Sequence, residues 1–206
     1  ALANKVLVLD PATTSNVEIS SLLFDVAQRL EARLIALGVA VFMTRSQQSE
    51  PTITDRIAVA NKAAADLVIA FDVDTYPTES AQGVATYYYG SDAHGIHSVV
   101  GERFAVLVQR EICARTDLRN CRTHAKTWDL LRLTKSPTVK IDLGYASNPG
   151  DMRRLGDSTF RETVVESLMV AIQRLYLSAE DDAKTGTLKI SDLRRAGIRT
   201  VSYTHL

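Results

Sequence analysis

The sequence is poor in the residues from which metal sites and nucleophiles are usually built. Its 206 residues include four histidines and two cysteines. Cys113 and Cys121 form no CxxC pattern, which argues against zinc ligation by thiolates, and we favour free thiols over the disulfide that an oxidising compartment would permit. His94 and His97 give an H-x-x-H pair, but Gly95 interrupts it in a predicted loop. We interpret both histidines as surface residues.

Other absences narrow the class of protein. The 10 glycines do not cluster, so the chain has no phosphate-cradling loop, and it has no Gly-x-Ser-x-Gly elbow. Lysine plus arginine (24) equals aspartate plus glutamate (24), which argues against nucleic acid or an anionic membrane as the partner. No apolar run approaches the ~20 residues that span a bilayer, so we expect no membrane insertion. With 46% hydrophobic residues the chain can bury a core.

Apolar runs of strand length alternate with helical patterns. We predict strands at 5–10, 39–44, 66–72, 83–90 and 138–144, and "TWDLLRL" (127–133) as an edge strand. Helices are predicted from the leucine-rich pattern that ends at Gly38, and over 52–65, 98–115 and 158–177. Strands that are apolar throughout need both faces covered. The predicted fold is therefore α/β, a mostly parallel central sheet flanked by helices on both faces.

The periodic pattern ends near Leu177. The polar stretch "SAEDDAKTG" follows it, and the remaining residues offer only a weak helical turn. We predict a compact domain over residues 1–177 and a flexible C-terminal tail over 178–206. Thr185 and Thr187 lie in that tail, between acidic residues and two apolar ones, and are candidate phosphorylation sites.

Three segments follow the carboxyl ends of predicted strands, where open parallel sheets bind ligands. They are "DPATTS" (10–15), "FDVD" (71–74) and "IDLGYASNP" (141–149), and we expect them to line one crevice. Simpler roles compete with ligand binding. Ser15 and Glu18 have the spacing of a capping box, and Asp72 and Asp74 could accept backbone N–H bonds at the strand end. Asp142 could pair with an arginine such as Arg132 or Arg56.

Several motifs, in order along residues 5–177, resemble the zinc-dependent N-acetylmuramoyl-L-alanine amidases, which cut the bond between glycan and stem peptide in peptidoglycan. "VLVLDP" stands where the family has a strand ending in Asp-Pro-Gly-His, and "FMTR" where it has Leu-Thr-Arg. "DRIAVANKAAADLVIAF", "GVATYYYG" and "LLRLTKSPTVKIDLGYASNPGD" match its Arg-x-x-x-Ala-Asn helix, its aromatic strand and its Glu-x-Gly-Phe-x-Ser-Asn segment. The resemblance implies a zinc-amidase-like fold.

The departures from the family pattern fall on its functional positions. The two zinc histidines fall on Thr13 and Asp72, the glutamate ligand on Ile19, and the catalytic glutamate on Asp142. A threonine hydroxyl and one aspartate are poor replacements for two imidazoles. These four positions are therefore predicted to be degenerate, and we expect no zinc, no other cofactor and no amidase activity.

Within the family, the chain resembles a mycobacterial type of cytoplasmic pseudo-amidase. That resemblance implies a regulator of peptidoglycan precursor synthesis which, once a membrane Ser/Thr protein kinase has phosphorylated it, stimulates a MurA-type enolpyruvyl transferase. Other cell-wall synthesis proteins are further candidate partners. Two alternatives stay open: a peptidoglycan-binding module, and a zinc-dependent amidase with an atypical metal site.

Overall fold

Strands and helices alternate along the chain in a computed structural model that describes residues 2–184, with side chains to residue 177. The strands are β1 (Val6–Pro11), β2 (Ala40–Met43), β3 (Leu67–Asp74), β4 (Val84–Ser91), β5 (Ile96–His97), β6 (Asn120–Lys126) and β7 (Thr138–Tyr145). The helices are α1 (Val17–Ala36), α2 (Ile53–Ala63), α3 (Val99–Arg115), α4 (Asp129–Leu133), α5 (Pro149–Gly156) and α6 (Ser158–Lys184), with a 3-10 turn over Asp92–His94.

All seven strands belong to one sheet, in the order β2-β1-β3-β7-β4-β5, with β6 also paired to β4. β2, β1, β3 and β7 run parallel, whereas β4 runs antiparallel to β7 and β6 runs parallel to β4. The largest core cluster packs α1, α3 and α6 against one face. Smaller clusters lie under α2 and α4 on the other face. The α/β prediction, with helices on both faces of the sheet, is confirmed.

The segment 127–133 is the clearest error in the predicted secondary structure. Residues Asp129–Leu133 form helix α4, not an edge strand, and the strand β6 precedes them. Leu130 packs with Ile57 and Ala70, while the adjacent Leu131 packs with Ala85 and Tyr87. Successive side chains of a strand point to opposite faces, so a strand could not bury both leucines against this sheet.

The first helix is capped differently from the prediction. Asn16, not Ser15, is the N-cap of α1, and its side-chain oxygen accepts hydrogen bonds from the backbone N–H groups of Glu18 and Ile19, at 3.0 and 3.2 Å. The predicted capping box between Ser15 and Glu18 is therefore wrong. Asn is as favourable an N-cap as Ser, so the helix begins one residue later than predicted and the capping box does not form.

The last helix extends beyond its predicted end at Leu177, to Lys184. The predicted tail phosphorylation sites, Thr185 and Thr187, lie outside the described residues. Within residues 2–184, no helix has both the length and the apolar character required to cross a bilayer.

Candidate functional site

A crevice of about 920 Å³ opens at the carboxyl ends of β3 and β7. Charged side chains from both strands meet there with aromatic side chains from β4, β6 and the start of α4. Its lining consists of Ile53, Arg56, Asp72, Asp74, Tyr87, His124, Lys126, Thr127, Trp128, Asp129, Leu130, Leu131, Lys140 and Asp142. Aromatic surface next to a few convergent charges is the usual composition of a small-molecule site.

The floor of the crevice is an ionic group of two carboxylates and one ammonium. Asp72 and Asp142 are directly opposite each other in the parallel pairing of β3 and β7, and Lys140 precedes Asp142 by two residues on the same face. The Lys140 ammonium lies 2.6 Å from Asp142 Oδ1 and 3.6 Å from Asp72 Oδ2. The side chain of Asp142 is only 4% exposed. The predicted pairing of Asp142 with an arginine is therefore wrong.

Burial determines the proton affinity of this carboxyl group. Removal from water raises the pKa of Asp142 to about 6, against the lowering effect of the Lys140 charge and hydrogen bond. The charges of Asp72 and Asp74 raise it further. At neutral pH Asp142 is thus mostly ionised, and its Oδ1 accepts a hydrogen bond from the Lys140 ammonium at 2.6 Å.

The two arginines proposed as partners of Asp142 have other partners. Arg56 donates two hydrogen bonds to the buried Asp10, from Nε at 2.7 Å and from the terminal nitrogen at 2.6 Å. Thr44 donates a third to the same carboxylate at 2.6 Å. Arg132 pairs with Asp129 at 2.7 Å on the exposed side of α4. Arg56 therefore fixes α2 to the end of β1 and forms part of the crevice wall.

An aromatic cluster makes one wall of the crevice. Tyr87 stacks on His124, with ring centroids 5.6 Å apart, and tilts against Trp128 at 4.7 Å. Lys140 lies 5.5 Å from the Tyr87 ring centroid and 5.2 Å from that of Trp128, and Lys126 lies 5.7 Å from the latter. Burial and the nearby charge of Asp142 raise the pKa of the Tyr87 hydroxyl. Tyr87 therefore stays neutral, and Trp128, 42% exposed, offers a ring to an incoming ligand.

The structure brings together two of the four degenerate positions. Asp72 and Asp142 line the crevice, whereas Thr13 and Ile19 are not among its lining residues. Ile19 is 7% exposed and belongs to the main hydrophobic core, and Thr13 lies half-buried in the loop between β1 and α1. The segment "DPATTS" contributes no lining residue to this crevice, although the Ala12 N–H donates to Phe71 O, beside Asp72, at 2.8 Å. Glu18, beside Ile19, is exposed on the first turn of α1.

Asp72 and Asp74 also have the simpler role that the sequence left open. Their Oδ1 atoms accept hydrogen bonds from the next residue's backbone N–H, at 2.8 and 2.7 Å. Asp72 in addition forms the ion pair with Lys140 at 3.6 Å. Among the described residues, no group of three or more His, Cys, Asp or Glu side chains is placed to hold a metal ion. The donor set therefore does not fit the zinc ion that the family resemblance implies.

The remaining candidate ligands lie apart from the crevice. His94 lies in the 3-10 turn and His97 in β5, where it contacts Glu102 at 3.1 Å. Cys113 and Cys121 are free thiols and partly buried, and burial raises the pKa of both. A raised pKa makes a thiol a weaker nucleophile at neutral pH.

Sequence reasoning missed Lys140, Tyr87, His124 and Trp128 as crevice residues. A signal for Lys140 was present, because it is the one charged residue before Asp142 in the apolar run "TVKIDLG" and the two are spaced to share a face. His124 and Trp128 had no such signal, since β6 is polar and α4 was assigned the wrong structure.

Comparison with known proteins identifies the family of this chain. The Amidase_3 profile, described as N-acetylmuramoyl-L-alanine amidase, matches residues 10–174, and the chain belongs to that family. Its relatives include the N-acetylmuramoyl-L-alanine amidase CwlM of Mycobacterium tuberculosis, 41% identical over 174 residues that cover 84% of this chain and 43% of that protein. The chain thus spans less than half of that relative's length. The resemblance inferred from the motifs is confirmed.

A more distant relative and a solved structure match as well. The germination-specific N-acetylmuramoyl-L-alanine amidase of Bacillus subtilis is 24% identical over 205 residues, with 87% of this chain and 83% of that protein covered. The crystal structure of an N-acetylmuramoyl-L-alanine amidase from Clostridium difficile superposes with a TM-score of 0.75 at 19% identity, over 86% of this chain and 98% of the other. At that identity the likeness concerns the fold alone.

Proposed function

We propose that this chain is an amidase-like pseudoenzyme that regulates peptidoglycan precursor synthesis in the cytoplasm. The observation that carries the pseudoenzyme part of the proposal is the contact between Lys140 and Asp142. A catalytic base in this position has to take a proton from an activated water molecule. Here the carboxylate is held by an ammonium at 2.6 Å, and Ile19, at the position of a zinc ligand, is buried in the core. Both features support a loss of hydrolysis.

The proposed regulatory activity follows the resemblance to the mycobacterial pseudo-amidases. A membrane Ser/Thr protein kinase would phosphorylate Thr185 or Thr187, and the phosphorylated chain would stimulate a MurA-type enolpyruvyl transferase. A phosphate adds about −1.5 to −2 charge and strong hydrogen-bond acceptors, which suits recruitment of an arginine cluster on a partner. Other cell-wall synthesis proteins are candidate partners by the same reasoning.

A reconstituted reaction tests the regulatory proposal. The chain is phosphorylated by the kinase and mixed with the enolpyruvyl transferase, phosphoenolpyruvate and the acceptor substrate of the transferase, and release of inorganic phosphate on transfer of the enolpyruvyl group is followed. We expect a faster rate with the phosphorylated chain than with the unphosphorylated one, and no stimulation by the double variant Thr185→Ala/Thr187→Ala. Equal rates with and without fully phosphorylated protein would contradict the proposal.

The aromatic wall favours one alternative, a peptidoglycan-binding module. The exposed Trp128 ring and the adjacent Tyr87 suit stacking against a sugar ring, and the crevice volume of about 920 Å³ lies in the range of small-molecule sites. Co-sedimentation with purified sacculi, lost in Trp128→Ala, would support that alternative. Release of stem peptides from sacculi, abolished by a chelator and restored by zinc, would instead establish an amidase with an atypical metal site.

A further inference from the structure

We propose that Lys140 is the resident cation of the crevice, and that its ammonium excludes a divalent metal ion from the pair Asp72 and Asp142. The inference concerns the ionic floor of the crevice and does not depend on the regulatory function proposed above. It goes beyond the loss of ligands, since it assigns to Lys140 the role of neutralising the two carboxylates that remain.

The contacts of the ammonium describe a cation site with all its partners supplied by this chain. Two carboxylates lie at 2.6 and 3.6 Å. The ring centroids of Tyr87 and Trp128 lie at 5.5 and 5.2 Å, within the range of a cation–π contact. The Lys140 side chain is only 19% exposed. The ammonium of this mostly buried side chain therefore lies between negative charge and two aromatic faces.

The pairing of β7 with β3 and β4 brings these residues together. Strand pairing sets Asp72 beside Asp142, and sets Lys140 between Ala70 of β3 and Tyr87 of β4. Without the lysine charge the two carboxylates would repel each other inside a largely buried site.

The same geometry predicts that the Lys140 ammonium competes with divalent metal ions for the two carboxylates. Carboxylate oxygens are ligands for hard divalent cations such as Mn²⁺. An ion bound between Asp72 and Asp142 would stand beside the ammonium, and the two positive charges would repel each other. Restoring histidine or glutamate at the degenerate positions is therefore not expected to restore metal binding while Lys140 remains.

Titration with MnCl₂, with free Mn²⁺ measured by electron paramagnetic resonance, tests the proposal. We expect Lys140→Met to bind Mn²⁺ at least about ten-fold more tightly than the unsubstituted chain, a difference of about 1.4 kcal/mol. Lys126→Met is the matched control, because it removes the same charge from the same crevice and the same aromatic ring. Its affinity should stay at the unsubstituted level.

A double variant locates the new site. Adding Asp142→Asn to Lys140→Met should abolish the gain in Mn²⁺ affinity. Lys140→Gln retains a hydrogen-bond donor for Asp142 and serves in the same titration if Lys140→Met does not fold. Equal Mn²⁺ affinity of the Lys140 variants and Lys126→Met, or a gain that survives Asp142→Asn, would overturn the proposal.

Discussion

Removing the guanidinium of Arg56 should destabilise the chain far more than removing an exposed arginine. Arg56 donates two of the three side-chain hydrogen bonds received by Asp10, whose side chain is 1% exposed. In Arg56→Met, that buried carboxylate would keep, among the described residues, only the neutral hydroxyl of Thr44 as a side-chain hydrogen-bond donor. The variant therefore leaves a buried carboxylate without a hydrogen-bonded opposite charge, and the Arg45 guanidinium acts on it only through space.

The size of the effect follows from the burial of the two partners. Breaking a buried ion pair from one side costs about 3–5 kcal/mol, because the other charge stays desolvated. The Arg56 side chain is 16% exposed at the crevice, so water can enter and replace part of what is lost. We therefore expect about 3 kcal/mol, the lower end of that range. This is a large part of the 5–15 kcal/mol that is typical of whole domains.

Urea unfolding followed by circular dichroism measures the effect. The midpoint should fall with the slope m unchanged. Arg132→Met is the matched control, because it breaks an ion pair of similar length whose side chains are 48% and 59% exposed, and it should cost less than about 1 kcal/mol. In a double-mutant cycle with Asp10→Asn, the effects of the two substitutions on the free energy of unfolding should be coupled by about 2 kcal/mol. If Arg56→Met costs no more than Arg132→Met, the assigned role of the Asp10 pair is wrong.

Three further outcomes are expected. Gly83→Ala should lower the free energy of unfolding by more than about 2 kcal/mol, because φ is +114° and a Cβ would lie 2.2 Å from a backbone carbonyl oxygen. Gly156→Ala, whose Cβ would have nothing within 4 Å, should be neutral or stabilising by up to ~1 kcal/mol. Urea unfolding compares the two variants. Because the folded-state pKa of Asp142 is raised to about 6, its carboxyl favours folding below pH ~4 and loses that contribution as pH rises to ~6. The unfolding free energy of the unsubstituted chain minus that of Asp142→Asn should thus fall by about 2–3 kcal/mol from pH 4 to 7, and a constant difference would refute the raised pKa. Iodoacetamide should alkylate Cys113 and Cys121 at pH 7 more slowly in the native than in the urea-unfolded chain, and equal rates would contradict the raised thiol pKa values.

The sheet was predictable because its central strands carry their own signal. β1, β3 and β7 are buried on both faces and read as continuous apolar runs, which only a helix-covered parallel sheet explains. Gly38, with φ of +81°, marks the end of α1 as the sequence indicated. Strand β6, with its polar sequence "NCRTHAK", and the short helix α4 carried no such periodicity, and α5 was not predicted at all.

The site was less predictable than the sheet because its contacts are long-range. The position of Asp72 opposite Asp142 follows once β3 and β7 are neighbours, and the motifs indicated both residues. The motifs alone did not single out the partner of Asp142, since Arg56, Arg132 and Lys140 each carry a positive charge that could pair with it. The structure gives the answer: Arg56 forms an ion pair with Asp10, and Lys140, on the same strand face as Asp142, forms an ion pair with Asp142.

The single tryptophan of this chain stands at the mouth of the crevice, with two lysines over its ring. Indole emission depends on neighbouring charges and on water, so the protein carries its own optical reporter at the place where a ligand would enter. Any compound that displaces a lysine from the indole, or covers it, should change the intrinsic fluorescence. Libraries of sugars, peptides and nucleotides can therefore be screened on the unlabelled protein.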